Sequence, residues 1–502
     1  MRLRDILAAL PILAAPALFS STGTAFATDY YAAPPGTVQA CSADGSQACP
    51  WLGVNAAFDS RKLVGGDRLL LQDGNYGGVS LYMFPFSTPV VIQSLNGKNA
   101  HFDSIFVNVG TTNLTFRNLS VWPSNPYAKL GALVYGHDQS SNIVVDGLDV
   151  RAGQDAANYR SWNLAEWQNR QNDGIYLGGP NSIVENSSVM GAYYAIVTYA
   201  ANSKILNNRV EGFTGDAYRV LGDDSLVSGN SSANCFSIDG NHPDGIQSWA
   251  FNNPDGVVSG LIIEKNSIIE WDGSQDNPLR CSMQGIGFFD GPYQNVIIRN
   301  NLISVTQYHG VAVYGGIGVQ ILNNTVVNNR GLDGTSPWVG VFNQKDGTPA
   351  QNVLVSNNVA MSFNTSDVGS VATLVNNSVV MGMSSLFQDI STFNYRPTVA
   401  SGFIDAGNAA NAPAVDIEGG VRPYGAGPDR GAYEVGSTPT TGGTTTGTTS
   451  GGTTTGGTTG TTSGGTTTGS TTDGTTTGTT GGTTTGKGGG WAAKFLKPPK
   501  SK

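Results

Sequence analysis

The chain has 502 residues, of which 68 are Gly, with 39% apolar and only 13% charged residues. Gly stands at about twice its ordinary ~7% share, without the G-X-Y period of collagen. Setting aside residues 1–27 (two Arg, one Asp) and everything after Val435 (five Lys, one Asp), the 27 basic and 36 acidic residues fall to 20 and 34, a balance of −14. A duplex nucleic-acid binder carries the opposite sign, so no nucleic-acid partner is expected.

In chain order, Arg2 and Arg4 precede an apolar run from Ile6 to Phe19 and the small-residue site Ala25-Phe26-Ala27. That pattern predicts a signal peptide over 1–27 and a secreted, periplasmic or cell-surface protein. The run is shorter than the ~20 residues a bilayer span needs, and no transmembrane segment is expected elsewhere. The four Cys suit an oxidising compartment: Cys41 and Cys49 are close in sequence, and Cys235 and Cys281 could pair across the fold.

Residues 28–435 carry a repeat. TFRNLSV (115–121), VVDGLDV (144–150), IVENSSV (183–189), ILNNRV (205–210) and LVSGNSS (226–232) share one design with IIEKNSI (262–268), IIRNNLI (297–303), ILNNTVV (321–327), LVSNNVA (354–360) and TLVNNSV (373–379). The shared fifth position, which includes Asn208, Asn230, Asn266, Asn301, Asn324, Asn358 and Asn377, recurs at spacings of 19 to 39 residues. A floor near 20 with longer excursions is the signature of a solenoid whose turns carry loops. Asn fits the corner between two short strands because it tolerates left-handed φ and can hydrogen-bond its own backbone.

A second strand register lies between those segments: GIYLGG (174–179), AIVTYA (195–200), AYRVLG (217–222), GIQSWA (245–250), GIGFFD (285–290), GVAVYG (310–315) and WVGVFN (338–343). Helical periodicity is absent. The expected fold is all-β, a right-handed parallel β-helix solenoid over 28–435 followed by a disordered Thr/Gly tail. The tail divides into a Thr/Gly linker over 436–490 and a basic, aromatic segment over 491–502, fit for contact with an anionic envelope or matrix. The chain is expected to be a monomer.

Tyr30-Tyr31, Pro34-Pro35-Gly36 and the run from Gly66 to Tyr76 resemble the opening turn of secreted β-helix proteins of the pectate-lyase-like superfamily, and Gly427-Pro428-Asp429-Arg430-Gly431-Ala432-Tyr433-Glu434 resembles the closing strand many of them carry. The resemblance covers 28–435 and implies the fold. Its members include lyases, epimerases, hydrolases and binding proteins, so the activity must be read from the site.

Equivalent residues on successive coils stand about 4.8 Å apart, so aligning the second register maps a face. Its inward pairs are Ile175/Leu177, Ile196/Thr198, Tyr218/Val220, Ile246/Ser248, Ile286/Phe288 and Val311/Val313. Outward come Tyr176, Val197, Arg219, Gln247, Gly287 and Ala312, then Tyr199, Leu221, Trp249, Phe289, Tyr314 and Phe342. The turns before the strands supply Asp173, Tyr194, Asp216, Asp244, Gln284 and His309, and the longer ones are expected to wall a groove. Aromatic rings beside polar donors suit sugar rings, and the sharpest motif is Asp239-Gly240-Asn241-His242-Pro243-Asp244, which leads into Gln247 and Trp249. It loosely resembles the Asp-Pro-His-Asp signature of periplasmic alginate epimerases, with a different residue order, and no role is carried over from it.

Three functions follow from that face. The first is a lyase or C5 epimerase on an acidic, uronate-containing polysaccharide: Arg219 would bind the carboxylate through its planar fork, and His242, Asp244, His309 and Tyr308 would move protons. Tyr176, Tyr199, Gln247, Trp249, Tyr314 and Lys345 would hold the polymer, and Ca²⁺ on Asp216, Asp244 and Asp223 would offset the acidic charge. The second is a glycoside hydrolase with paired carboxylates: Asp216 and Asp244, about 5 Å apart on adjacent coils, or Asp173 and Asp216, about 10 Å apart two coils on, near or just past the upper end of the inverting range. The third is a non-catalytic carbohydrate-binding adhesin or matrix protein.

Overall fold

The computed structural model describes residues 27–439 except 251–252, 274–276, 331–335, 369–370 and 381. All but the last residue of the segment expected to be a signal peptide, nearly all of the Thr/Gly tract and the basic tail therefore lie outside the described residues. The fold is a parallel β-helix. Its three long faces are parallel sheets of 14, 12 and 11 strands, and the chain visits one after another. One coil runs from Ile183–Glu185 in the first sheet to Ser188–Ala192 in the second and Ile196–Thr198 in the third, returning at Lys204–Leu206. Strands this short form because each backbone is paired on both sides by its neighbours, while β-branched residues fill the interior.

The inward pairs fall as the alternation predicts. Ile175, Leu177, Ile196, Tyr218, Val220, Ile246, Ile286, Phe288, Val311 and Val313 are all buried in one continuous core, with Thr198 and Ser248 enclosed among them. Near the start of the fold, the helix Val54–Asp59 adds Val54, Ala57 and Phe58 to that core.

At the corner between the first and second sheets, two residues divide the work the sequence assigns to one. The left-handed conformation belongs to the fourth position of the repeat, at Asn118, Asn186, Asn207, Asn300, Asn323, Asn357 and Asn376, with φ between 52° and 59°. The fifth-position Asn instead points inward. From Asn208 to Asn377, each Nδ2 donates to the Oδ1 of the next coil's Asn at 2.9–3.0 Å. The same oxygens accept backbone N–H groups one coil back. A buried polar column is tolerated because its donors and acceptors are paired along its length.

The segment from Gly427 to Glu434 does not form the closing strand that its sequence resembles. It crosses the outside of the Asn corner instead: Asn323 Nδ2 donates to Asp429 O, Gly431 N to Asn357 O and Ala432 N to Thr325 Oγ1. Glu434, buried, gathers Arg422 Nη1, Asp429 N and Tyr424 N. Carboxylate-centred bonds replace a ladder here because Pro428 and the positive-φ Gly431 interrupt one.

Candidate functional site

The third sheet is preceded by the longest excursions, and these fold on one another. The helix Leu164–Asn169 is closed at its start by a reciprocal capping box between Asn163 and Glu166. It buries Trp167 in a satellite core with Tyr159, Trp162, Phe236, Ile238 and Trp271, so loops 152–172, 236–243 and 270–284 share one aromatic centre. Gln168 Nε2 donates to Ile238 O, and Tyr193 Oη donates to Asp239 Oδ2, which fixes the turn that carries His242.

Two further devices hold the base of these loops. The buried Glu270 accepts from Arg280, Met283 N, Thr306 N and Thr306 Oγ1. The Cys235–Cys281 disulfide, with a Cα–Cα distance of 5.4 Å, closes a separation of 46 residues just ahead of both His242 and Gln284; Cys41–Cys49 also forms. Removing Cys235–Cys281 as a double Cys→Ala variant is expected to lower stability by about 4 kcal/mol on loop-closure grounds. Denaturant unfolding of oxidised wild type against the variant measures this, and equal midpoints would contradict it.

The carboxylates at the strand starts lie under the surface. Asp216 is 1% exposed: its Oδ1 accepts Asp244 N at 2.9 Å and its Oδ2 accepts Arg219 Nε at 2.5 Å. Asp244 is fully buried; its Oδ2 accepts Gln247 Nε2 at 3.1 Å and lies 3.5 Å from His242 Nδ1. Burial raises the Asp173 carboxyl to about 7 and raises Asp244 as well. Closed off in this way, Asp216 and Asp244 do not face a sugar ring, so the paired-carboxylate arrangement expected of a hydrolase is not presented.

Arg219 pairs with Gln247 across adjacent coils, as the register predicts. Its side chain is nonetheless only 8% exposed. The guanidinium lies between the rings of Tyr194, 3.2 Å from the centroid, and Trp249, at 5.0 Å. With Nε spent on Asp216 and both faces covered, Arg219 stiffens the site; it is not the open carboxylate fork expected from sequence.

What faces outward is imidazole. His242 is 57% exposed, and its hydrogen bond to Asp244 raises its pKa above 6.5. Gln284, buried, brings its Nε2 to 3.1 Å from His242 Nδ1, while its Oε1 meets Nδ1 of His309. His309 sits among the rings of Tyr308, Trp338 and Phe289, at centroid distances of 4.1, 4.8 and 4.9 Å. Burial there, with repulsion from His242 and Lys345, pushes its pKa down to about 4. Tyr308 is 48% exposed beside it, and Tyr314 stacks on Phe342 at 4.6 Å.

The remaining expected residues lie apart from this centre. Tyr176 stacks on Tyr135 further up the face. Tyr199, Asp223 and one side of Trp249 line a cleft of about 620 Å³ at the far end of the strands, with Leu221, Asn253 and Asp255. Lys345 is held in an exposed ion pair with Asp290 at 2.7 Å. Asp216, Asp244 and Asp223 do not make a Ca²⁺ cage. Asp216 precedes its strand and Asp223 follows it, on the order of 20 Å along the backbone, and Asp223 Oδ1 is turned to Asn253 and Ser259. Among the described residues, no three carboxylate, imidazole or thiolate groups are grouped to hold a metal.

Gln284, Tyr194 and Trp338 stand in this centre without having been singled out as site residues. Gln284 and Tyr194 occupy the strand-start column with Asp216 and Asp244, and that shared column was the available signal.

No protein-family profile matches the chain, and no curated protein matches it. Solved structures do. The pectate lyase Pel9A is 16% identical, covering 82% of this chain and 97% of its own at a TM-score of 0.42. The A-module of the Azotobacter vinelandii mannuronan C-5 epimerase AlgE4 is 16% identical over 65% of this chain and 89% of its own, at 0.42. XylC, solved in complex with xylose, is 10% identical over 81% and 98%, at 0.47. The likeness is one of fold. Among the described residues, no helix is long and apolar enough to cross a membrane.

Proposed function

We propose that this protein is a secreted polysaccharide lyase or C5 epimerase acting on an acidic, uronate-containing polymer, with His309 as the base and His242 as the acid. The observation that carries this reading is the pair of histidines on one carboxamide, shifted in opposite directions: His242 up, His309 down to about 4. Two titratable groups whose surroundings drive their pKa values apart are fitted to give and take protons at one pH. His309 takes the C5 proton, and the C5–H electrons form the C4=C5 bond as the C4–O bond breaks. His242 then protonates the leaving oxygen; for epimerisation the C4–O bond stays intact, the C5–H electrons pass into the uronate carboxylate, and His242 gives a proton to the opposite face of C5 as they return.

The acidic balance of the chain is less of an obstacle than its count implies. Asp216 is neutralised by Arg219, and burial favours the protonated forms of Asp173 and Asp244. The buried carboxyls next to the His242 imidazolium therefore add little negative charge to repel a uronate polymer.

Incubation with a panel of uronate polymers, with and without chelator, tests the reading. Absorbance of an unsaturated uronate is the expected result for a lyase, and C5 exchange in heavy water for an epimerase. Reducing ends without that absorbance would transfer the protein to the hydrolases; polymer binding with none of the three would make it an adhesin. On an active polymer, kcat/KM should be bell-shaped. The acid arm falls near pH 4, where His309 protonates, and the alkaline arm above pH 6.5, where His242 loses its proton. A rate that rises steadily through pH 9 would rule out His242 as the acid.

A further inference from the structure

We propose that the cleft at the far end of the third sheet, walled by Tyr199 and Trp249, is a second carbohydrate site that takes a cationic amino sugar. It lies apart from the histidine centre. Asp244 and Trp249 stand at opposite ends of one strand, roughly 16 Å apart at ~3.3 Å per residue. The cleft volume, about 620 Å³, falls within the ~300–1,000 Å³ of small-molecule sites.

Both rings are held from behind. Tyr199 ends a row of aromatic residues on successive coils, with centroid distances of 6.1 Å from Phe106 to Tyr135, 5.7 Å from Tyr135 to Tyr176 and 6.4 Å from Tyr176 to Tyr199. Trp249 is braced by the Arg219 guanidinium, 5.0 Å from its ring centre. Rings fixed before a ligand arrives lose little freedom on binding, and their apolar surface suits the C–H faces of a sugar.

The polar groups of the cleft select its charge. Asp138, Asp223 and Asp255 line it, and among the described residues neither Lys nor Arg does. Asp138 and Asp255 are exposed, while Asp223 is half-buried and fixed, its Oδ1 accepting Asn253 Nδ2 at 3.0 Å and Ser259 N at 2.8 Å. His137 stands beside Asp138 and adds positive charge only when protonated. The three carboxylates are not gathered as a metal cage, so they suit a ligand larger than an ion. A uronate in the cleft would meet three like charges, and a neutral sugar would gain only hydrogen bonds. A protonated amine meets three opposite charges and two aromatic rings that attract cations.

The ligand of the cleft does not depend on the chemistry of the histidines. A single polymer reaching both places, which rests on the function proposed above, would carry amino sugar and uronate a few residues apart. The substrate would then be a mixed polymer.

The test is calorimetric titration of the full chain, near neutral pH and at low salt, with a glucosamine oligomer, its N-acetylated counterpart, a uronate oligomer and trilysine. The glucosamine oligomer is expected to bind about tenfold more tightly than the other three, and to weaken as salt is added. Asp223→Asn and Asp255→Asn, which keep the shape of each side chain, should each weaken it about threefold and together about tenfold. Tyr199→Ala should weaken the glucosamine oligomer and its N-acetylated counterpart alike, and His242→Ala should leave both unchanged. Circular dichroism confirms folding, and the exposed Asp255 carries the test should Asp223→Asn not fold. Equal binding of the N-acetylated or the uronate oligomer would overturn the amino-sugar assignment, and equal binding of trilysine would overturn the carbohydrate one. No binding, or binding that ignores the Asp and Tyr199 variants, would remove the site. Because the titration needs no turnover, inactivity on every uronate polymer would defeat the proposed function and leave this site standing.

Discussion

His242→Ala should lower turnover on the active uronate polymer by about 10²–10⁴-fold, the usual contribution of one positioned acid or base. Polymer binding should change little. His242 reaches the groove from a turn anchored by Asp239 and Pro243, and its ring leans on Asp244 and Gln284 without supporting either strand. The surfaces fitted to stack on sugar, Tyr308, Tyr314 and Trp249, do not depend on it. Measured together, kcat should collapse while the dissociation constant stays within a few-fold of wild type. Near-normal turnover would remove His242 from the chemistry. Equal losses of binding and turnover would reassign it to holding the substrate carboxylate.

The fold was legible because a solenoid writes its geometry into the sequence at fixed spacing. Period-two alternation separates Ile246 and Ser248 from Gln247, and coil stacking sets Arg219 beside Gln247; both are local rules, and both hold. The division of labour at the corner was less visible, since Asn suits both a left-handed turn and a buried ladder; only the direction of each side chain separates Asn207 from Asn208.

Covering was not legible at all. Whether Arg219 faces solvent depends on the rings of Tyr194 and Trp249 turning over it, and the loops around the site meet at Trp167, Phe236 and Trp271, contacts between residues up to more than a hundred positions apart. A register shift between Ser248 and Trp249 also moves Trp249 opposite Asp290, one residue past the Phe289 that simple counting aligns with it. Gln284 sat in the right column, but an amide at a strand start reads as ordinary turn chemistry until a histidine stands on each side of it.

The second large effect concerns Asp216. Asp216→Ala should destabilise the folded protein by about 3–5 kcal/mol, the penalty for leaving one member of a buried ion pair without its partner. Arg219 would keep its charge between Tyr194 and Trp249 with nothing to receive Nε, and Asp244 N would lose its acceptor. The cost is one of stranded charge, and this separates it from simple loss of packing: Asp216→Ala combined with Arg219→Met should recover much of the stability, because an apolar side chain of similar length fits between the two rings without needing a counter-charge. Denaturant midpoints for wild type, both single variants and the double variant complete the cycle. A double variant as unstable as the sum of the singles would mean that Asp216 acts through Asp244 N alone. In that case, the turn bearing His242, and not the stacked guanidinium, would be what Asp216 holds in place.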